Sequence, residues 1–273
     1  MKKIFFIPII SALLFLTGCE EVIDVDLDTA PPRLVIEASI NWIKDTPGNE
    51  QFIRLTTTTS YFSQEIPAVT DAIVTITNSD GTVFTFEQNE IPGIYVCTNF
   101  VPELNETYTL SIVYEGEIYT STEQLLATPI VKRIEQREDA GVLGEETEFK
   151  FFFDDIENET NFYFIGFSDT YRAFPDYAVL EDRFFENNEM FGLYFSEKLK
   201  PGDTLNYTMS GISQQYFNYM NILLAQTGNS SGGPFSTPNS TVRGNIVNQT
   251  NFDNFALGYF RLSETVIEEY IVE

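Results

Sequence analysis

The sequence predicts a mostly β protein in two parts: an antiparallel sandwich in the first half, and an aromatic-rich β domain with one or two helices in the second. Three observations predict it. Apolar and polar residues alternate at period two in short runs separated by turn chemistry. β-Branched and aromatic residues are enriched in those runs. Helical spacing of apolar residues is clearest near residues 212–227. The chain has 273 residues and a formal charge of −26, yet 43% of it is apolar and 15% aromatic, enough to build a core and to disfavour disorder.

The first residues read as an address. Lys2 and Lys3 precede an uncharged run from Ile4 to Leu16, too short to span a bilayer and suited to a signal-peptide h-region. Leu16-Thr17-Gly18-Cys19 follows, and it resembles the bacterial lipobox, in which the cysteine is lipidated (palmitate is one such acyl chain) and becomes the new first residue. Removal of residues 1–18 leaves 255 residues and, with Lys2 and Lys3 gone, a charge of −28. Cys97 is then the only thiol left, so no intramolecular disulfide is expected. It sits in a strand-like run and reads as a small buried hydrophobe.

Residues 19–32 form an acidic tether closed by Pro31-Pro32. Self-repelling charge keeps such a linker extended. Glu20 and Glu21, directly behind the cysteine, also resemble the export signal of Bacteroidota surface lipoproteins. Asp24, Asp26 and Asp28 share one side of an extended chain, but the Gly and distal bidentate Glu of a calcium loop are missing, so no metal is expected.

Residues 33–128 carry the first domain. Its runs are Leu34–Ile40, Gln51–Thr58, Ala72–Thr77, Val83–Glu87, Gly93–Phe100, Tyr108–Tyr114 and Ile118–Leu125. Asn78-Ser79-Asp80-Gly81 and Glu115-Gly116-Glu117 supply hairpin turns. Many short strands in about a hundred residues suggest a sandwich. The order of these pieces resembles immunoglobulin-like and prealbumin-like modules of bacterial surface proteins. Trp42, the single tryptophan, is expected in this core.

Residues 129–273 differ in texture. They hold most of the aromatic residues, and core packing accounts for the greater part of them. Val131–Glu135, Phe149–Phe153, Asn161–Phe167, Asp203–Ser210, Ala256–Leu262 and Val266–Val272 read as strands. Ile212, Tyr216, Met220, Leu223 and Leu224 fall on one helical face, and Gly228 ends that helix. A long irregular segment around Gly232-Gly233-Pro234-Phe235 follows, of a length that is often functional.

Composition excludes several chemistries. With no histidine, His-dependent triads and His/Cys zinc sites are out, and so few Lys and Arg argue against nucleic acid. Asp154-Asp155-Ile156-Glu157 and Glu181-Asp182 could supply a glycosidase pair, but such neighbours arise readily among 41 acids. No catalytic residue and no cofactor is expected. Tyr171, Phe174 and Tyr177 flank Pro175 in a presumed loop and, with Phe235, are the candidate contacts for a ligand or partner. Arg172 and Arg243 stand out in so acidic a chain; an ion pair is the ordinary reading of each, and bidentate binding of an anion the sharper one. Thr29 and Thr204 lie in Asp-Thr-aliphatic tripeptides that match a short Bacteroidota O-glycosylation pattern.

The lipobox, the β-sandwich half and a C-terminal string together resemble the Domain of Unknown Function 4249 family, lipoproteins of Bacteroidota. The string runs Ser213-x-x-Tyr216-x-x-Tyr219-x-x-x-Leu223-x-x-Gln226, Pro234-Phe235-Ser236-x-Pro238, Gly244-Asn245-Ile246 and Leu257-Gly258-Tyr259-Phe260. The resemblance implies an outer-membrane lipoprotein, facing the medium, that assists a TonB-dependent transporter of the starch-utilisation type by ligand capture or as a lid or docking piece, and is not an enzyme. A structural or adhesive surface lipoprotein is the alternative expectation, and a carboxylate-based hydrolase the third.

Overall fold

β15 is the strand that organises the molecule. It runs Leu257–Ile271, fifteen residues, about 45 Å of extended chain at ~3.3 Å per residue. Its first part pairs parallel with β1 (Leu34–Ile43), from Val35↔Leu257 to Ile43↔Thr265. Its second part pairs antiparallel with β13 (Thr204–Ile212), from Ser210↔Thr265 to Thr204↔Ile271. The computed structural model describes residues 31–60, 63–156, 159–183, 188–227 and 241–273, and within them Pro32–Glu273 is one unit.

The first half folds as its alternation predicts. β2 is Gln51–Thr57, β3 Ile73–Asn78, β4 Val83–Gln88, β5 Ile94–Cys97, β6 Thr107–Tyr114 and β7 Glu117–Leu126. In β3, Val74 and Ile76 are buried while Ile73 faces solvent; in β6, Tyr108, Leu110 and Ile112 are buried. The strands follow the order β1-β2-β5-β4-β3-β6-β7, all antiparallel. β15 joins the two ends, pairing with β1 on one side and with β7 at Leu262↔Leu125 on the other. The core is mainly aliphatic, built on Ile36, Ile40, Ile53, Leu55, Val74 and Ile76. Phe84, Phe100 and Tyr108 form a short run of tilted ring contacts within it, with centroids 4.7 and 5.2 Å apart. Trp42 packs against this core, half-buried. Cys97 lies within it, its thiol pushed up in pKa chiefly by burial.

The division expected near residue 128 is crossed by the chain. Ile246, Ala256, Phe260 and Leu262 belong to the first core. The second half contributes β8 (Val131–Ala140), β9 (Glu146–Asp154), β10 (Phe162–Ser168), β11 (Asp176–Glu181), β12 (Glu189–Ser196) and the short β14 (Val247–Asn248). β8, β9 and β12 form a separate three-stranded sheet, ordered β12-β9-β8. It lies over β10, β13 and the end of β15, and the layer between is aromatic: Phe151 stacks on Tyr207 at 4.4 Å and Phe167 on Tyr194 at 4.9 Å.

Two expectations need correction. Ala256–Leu262 and Val266–Val272 are not two strands, because Ser263, Glu264 and Thr265 between them are buried and partnered rather than turned out to solvent. Thr265 Oγ1 lies 2.8 Å from Ser210 Oγ. Glu264 pairs with Lys44 Nζ at 2.8 Å and accepts the Thr128 N–H at 2.9 Å. Tyr177 is not a loop residue: it is the second residue of β11 and stacks on Phe164 at 5.0 Å, since the chain turns before Asp176 rather than after it.

The helix, α1, spans Gln214–Thr227. Ile212 ends β13 instead of starting α1. Ser213 caps it: its Oγ accepts the Tyr216 N–H at 3.2 Å and its carbonyl the Phe217 N–H at 2.9 Å. Tyr216 and Met220 are buried against Phe162, Ile212 and Tyr259, with Leu223 and Leu224 packed beside them. This is the apolar face expected from the spacing.

Candidate functional site

A cleft opens between the flank of α1 and the segment that leads into β14. Its volume is about 420 Å³, and it is lined by Gln215, Asn218, Tyr219 and Ile222 on the helix side and by residues 241–245 and Tyr259 on the other. The size falls in the range of small-ligand sites, roughly 300–1,000 Å³.

The cleft floor is a ring cluster. Tyr259 meets Tyr216 edge-on at 4.8 Å and Tyr219 at 4.9 Å. The far wall is held by backbone contacts that exclude side chains. A Cβ on Gly244 would lie 1.7 Å from the Gly258 carbonyl oxygen, and one on Gly258 would lie 2.0 Å from that of Ile36. Gly258 also has φ +93°, a left-handed conformation that favours glycine. Asn245 then copies a strand partner: its Oδ1 accepts the Phe260 N–H at 3.0 Å and its Nδ2 donates to the Phe260 carbonyl at 2.8 Å.

Behind the wall sits Glu123 of β7. Its Oε1 accepts from the Tyr259 hydroxyl and from Asn245 Nδ2, each at 3.0 Å, and Ser213 Oγ lies 3.4 Å away. Burial pushes the carboxyl above the ordinary glutamate range, against the lowering effect of these donors. Burial, and next the charge of Glu123, raise the Tyr259 phenol. The network therefore ties β7, the helix cap, residue 245 and β15 together.

Among the described residues Arg243 is the one charged residue in the cleft lining. Its guanidinium carbon lies 3.7 Å from the Phe255 ring centroid, and that of Arg33 lies 3.8 Å from the same centroid. Arg33 donates to the carbonyls of Asp253 and Phe255 at 3.1 and 3.4 Å. Among the described residues Arg243 has no carboxylate partner, contrary to the ordinary reading of it as an ion pair. Arg172 follows that reading, pairing with Asp176 at 2.9 Å.

The other predicted contacts lie elsewhere. Tyr171, Arg172 and Phe174 occupy the β10–β11 loop. Strand register places this loop at the same end as the β8–β9 turn, the start of β13 and the end of β15. Phe174 is 82% exposed there, as is Leu143 of the β8–β9 turn, and Val142 is fully exposed. Tyr171 donates to Asp203 at 2.9 Å, and Tyr194 to Asp169 at 2.8 Å. Thr204 begins β13 beside them, half-buried. Cys19, Glu20, Glu21, Asp24, Asp26, Asp28, Thr29, Glu157 and Phe235 lie outside the described residues.

The carboxylates raised for a hydrolase have structural partners. Asp154 pairs with Lys132 at 2.9 Å, and Asp155 is buried 3.3 Å from the Tyr163 hydroxyl. Glu181 pairs with Arg183 at 2.9 Å, and buried Asp182 accepts the Asn161 N–H at 2.6 Å. Among the described residues no group of three His, Cys, Asp or Glu side chains could hold a metal ion.

Sequence reasoning singled out Arg243 but not its neighbours Gln215, Asn218, Asn245, Tyr219, Tyr259 and Glu123. The signal was present for several of them. Tyr219, Asn245 and Tyr259 stand in three of the four pieces of the C-terminal string described above, and the fold brings those three onto one cleft.

A family model described as a domain of unknown function (DUF4249) matches residues 20–267. No curated protein matches the chain. Among solved structures, a two fibronectin type-III domain segment from chicken tenascin is 13% identical and covers 66% of this chain and 90% of its own, with a TM-score of 0.22. The FN1–FN3 domains of chicken CNTN1 are 12% identical, covering 67% of this chain and 60% of their own, with a TM-score of 0.27. A DUF4785 family protein from Legionella pneumophila is 9% identical, covering 66% of this chain and 51% of its own, with a TM-score of 0.24.

Proposed function

The chain belongs to the DUF4249 family, and on that premise we propose that it is a non-enzymatic lipoprotein of the outer-membrane surface, in a member of the Bacteroidota, that assists a TonB-dependent transporter. The observation that carries this reading is the string Leu16-Thr17-Gly18-Cys19-Glu20-Glu21 behind a signal-like apolar run. Lipid on Cys19 anchors the protein, and the acidic residues behind it direct it outward. Anchoring beside a transporter raises effective concentration, so individual contacts can be weak. The folded unit starts at Pro32, next to the first residues of β1 and β15, and β15 ends at the opposite pole. That pole presents Val142, Leu143 and Phe174, apolar groups suited to a protein contact.

Affinity purification of the intact lipidated protein from solubilised outer membrane tests the proposal. A transporter barrel is expected to co-purify; recovery of the protein without one overturns the partnership. Cys19→Ala is expected to move the protein out of the membrane fraction. Protease treatment of whole cells is expected to degrade the wild type, and survival until lysis would contradict outward display.

A further inference from the structure

We propose that the cleft beside α1 binds an acidic saccharide, with Arg243 gripping the carboxylate or sulfate of a sugar unit. The inference deepens the assisting role proposed above, reading it as ligand capture, and rests on that proposal for the setting. The lining supplies three kinds of group. Gln215 and Asn218, both exposed, offer side-chain amides able to donate and accept, which is the chemistry that pairs with vicinal hydroxyls. Tyr219 and Ile222 offer apolar surface for the C–H face of a pyranose, Ile222 being 49% exposed. Arg243 offers a planar fork that matches an oxyanion bidentately.

The setting of Arg243 makes it a receptor rather than a strut. In a chain with 41 acids, no described carboxylate pairs with it. Stacking on Phe255 orients the guanidinium without occupying its N–H donors. Among the described residues no acid lines the cleft, and at physiological salt a Debye length of about 8 Å screens the more distant ones. Behind the wall the Glu123 acceptor oxygen is engaged by Tyr259 and Asn245, and Glu37, whose charge reaches Tyr219, pairs with Arg54 at 3.3 Å. A peptide is a poorer fit. Peptide binding by strand addition needs an open sheet edge, and beside this cleft β15 is already paired to β1 and β7.

Calorimetric titration of the detergent-solubilised full-length protein tests the assignment, with trigalacturonate, an unsaturated chondroitin sulfate disaccharide and a neutral galactotriose as probes. At least one acidic probe is expected to bind, about tenfold or more tightly than the neutral one. Arg243→Ala is expected to remove that preference and Arg243→Lys to restore it in part, with Arg172→Ala as a control that leaves it intact. Thermal melting of each variant separates lost binding from lost folding. Equal affinity for acidic and neutral probes, no binding of any probe, or an Arg243→Ala variant that melts and binds like wild type overturns the proposal. Saccharide binding without a co-purifying transporter leaves the cleft assignment standing and removes the transporter partnership; the reverse outcome removes the cleft assignment alone.

Discussion

The two halves of this molecule share a strand and differ in how they fill their interiors. The first buries aliphatic side chains from regularly alternating strands, so each strand shows one apolar and one polar face. The second fills the space between its sheets with Phe and Tyr, and β9 is buried at six of its nine positions, without simple alternation. Aliphatic packing spreads the energy over many small contacts. Aromatic packing concentrates it in a few rings that touch one another. Truncating one side chain therefore removes less from the first core than from the second.

The shared strand is the place to break both halves at once. Gly258→Ala introduces a Cβ 2.0 Å from the Ile36 oxygen at φ +93°. Strain and clash together are expected to cost about 3–5 kcal/mol. Loss of the folded baseline in a urea titration would register it; a wild-type midpoint would show that the β1–β15 contact yields easily.

Phe151→Ala comes next. It removes a fully buried ring that stacks on Tyr207 and is expected to cost about 3–5 kcal/mol, whereas Ile53→Val in the first core costs about 1 kcal/mol. Because β15 is common to both cores, each variant is expected to unfold in one transition by calorimetry. Two transitions for Phe151→Ala would mean that the halves are energetically separate.

A smaller effect comes from Glu123. Its folded-state pKa is raised, so the native state binds a proton more tightly than the unfolded chain. Stability is therefore greatest below the unfolded glutamate value of about 4.3 and falls as pH rises through the raised folded value. Glu123→Gln keeps an acceptor oxygen for Tyr259 and Asn245 and is expected to flatten that part of the pH profile. A profile unchanged from wild type would place the pH dependence elsewhere. Arg172→Ala should do least. Its ion pair with Asp176 is exposed on both sides, and a change within about 0.5 kcal/mol is expected by chemical denaturation.

Much of the first half was legible beforehand. Ala72–Thr77 and Tyr108–Tyr114 alternate, and the turn at Asn78–Gly81 uses residues that tolerate its geometry; these signals lie within a few residues of one another. The helix was legible too, with its buried face, although its Ser213 cap was not singled out. The loop reading of Tyr177 failed because Pro175 was taken for the middle of a turn, when the strand begins directly after it. The cleft was half legible: Arg243 stood out by charge, but Gln215 and Asn218 carry no sequence mark of their own.

By itself the sequence determined the β class, the strands of the first half, the helix and the absence of histidine chemistry. Those follow from near-neighbour periodicity, capping and composition. Tertiary structure alone decided that one strand serves both halves, and that Ser263, Glu264 and Thr265 could be buried within it. The physical reason is distance along the chain. The Thr128 N–H that satisfies Glu264 is 136 positions away, and no local pattern announces a partner so remote.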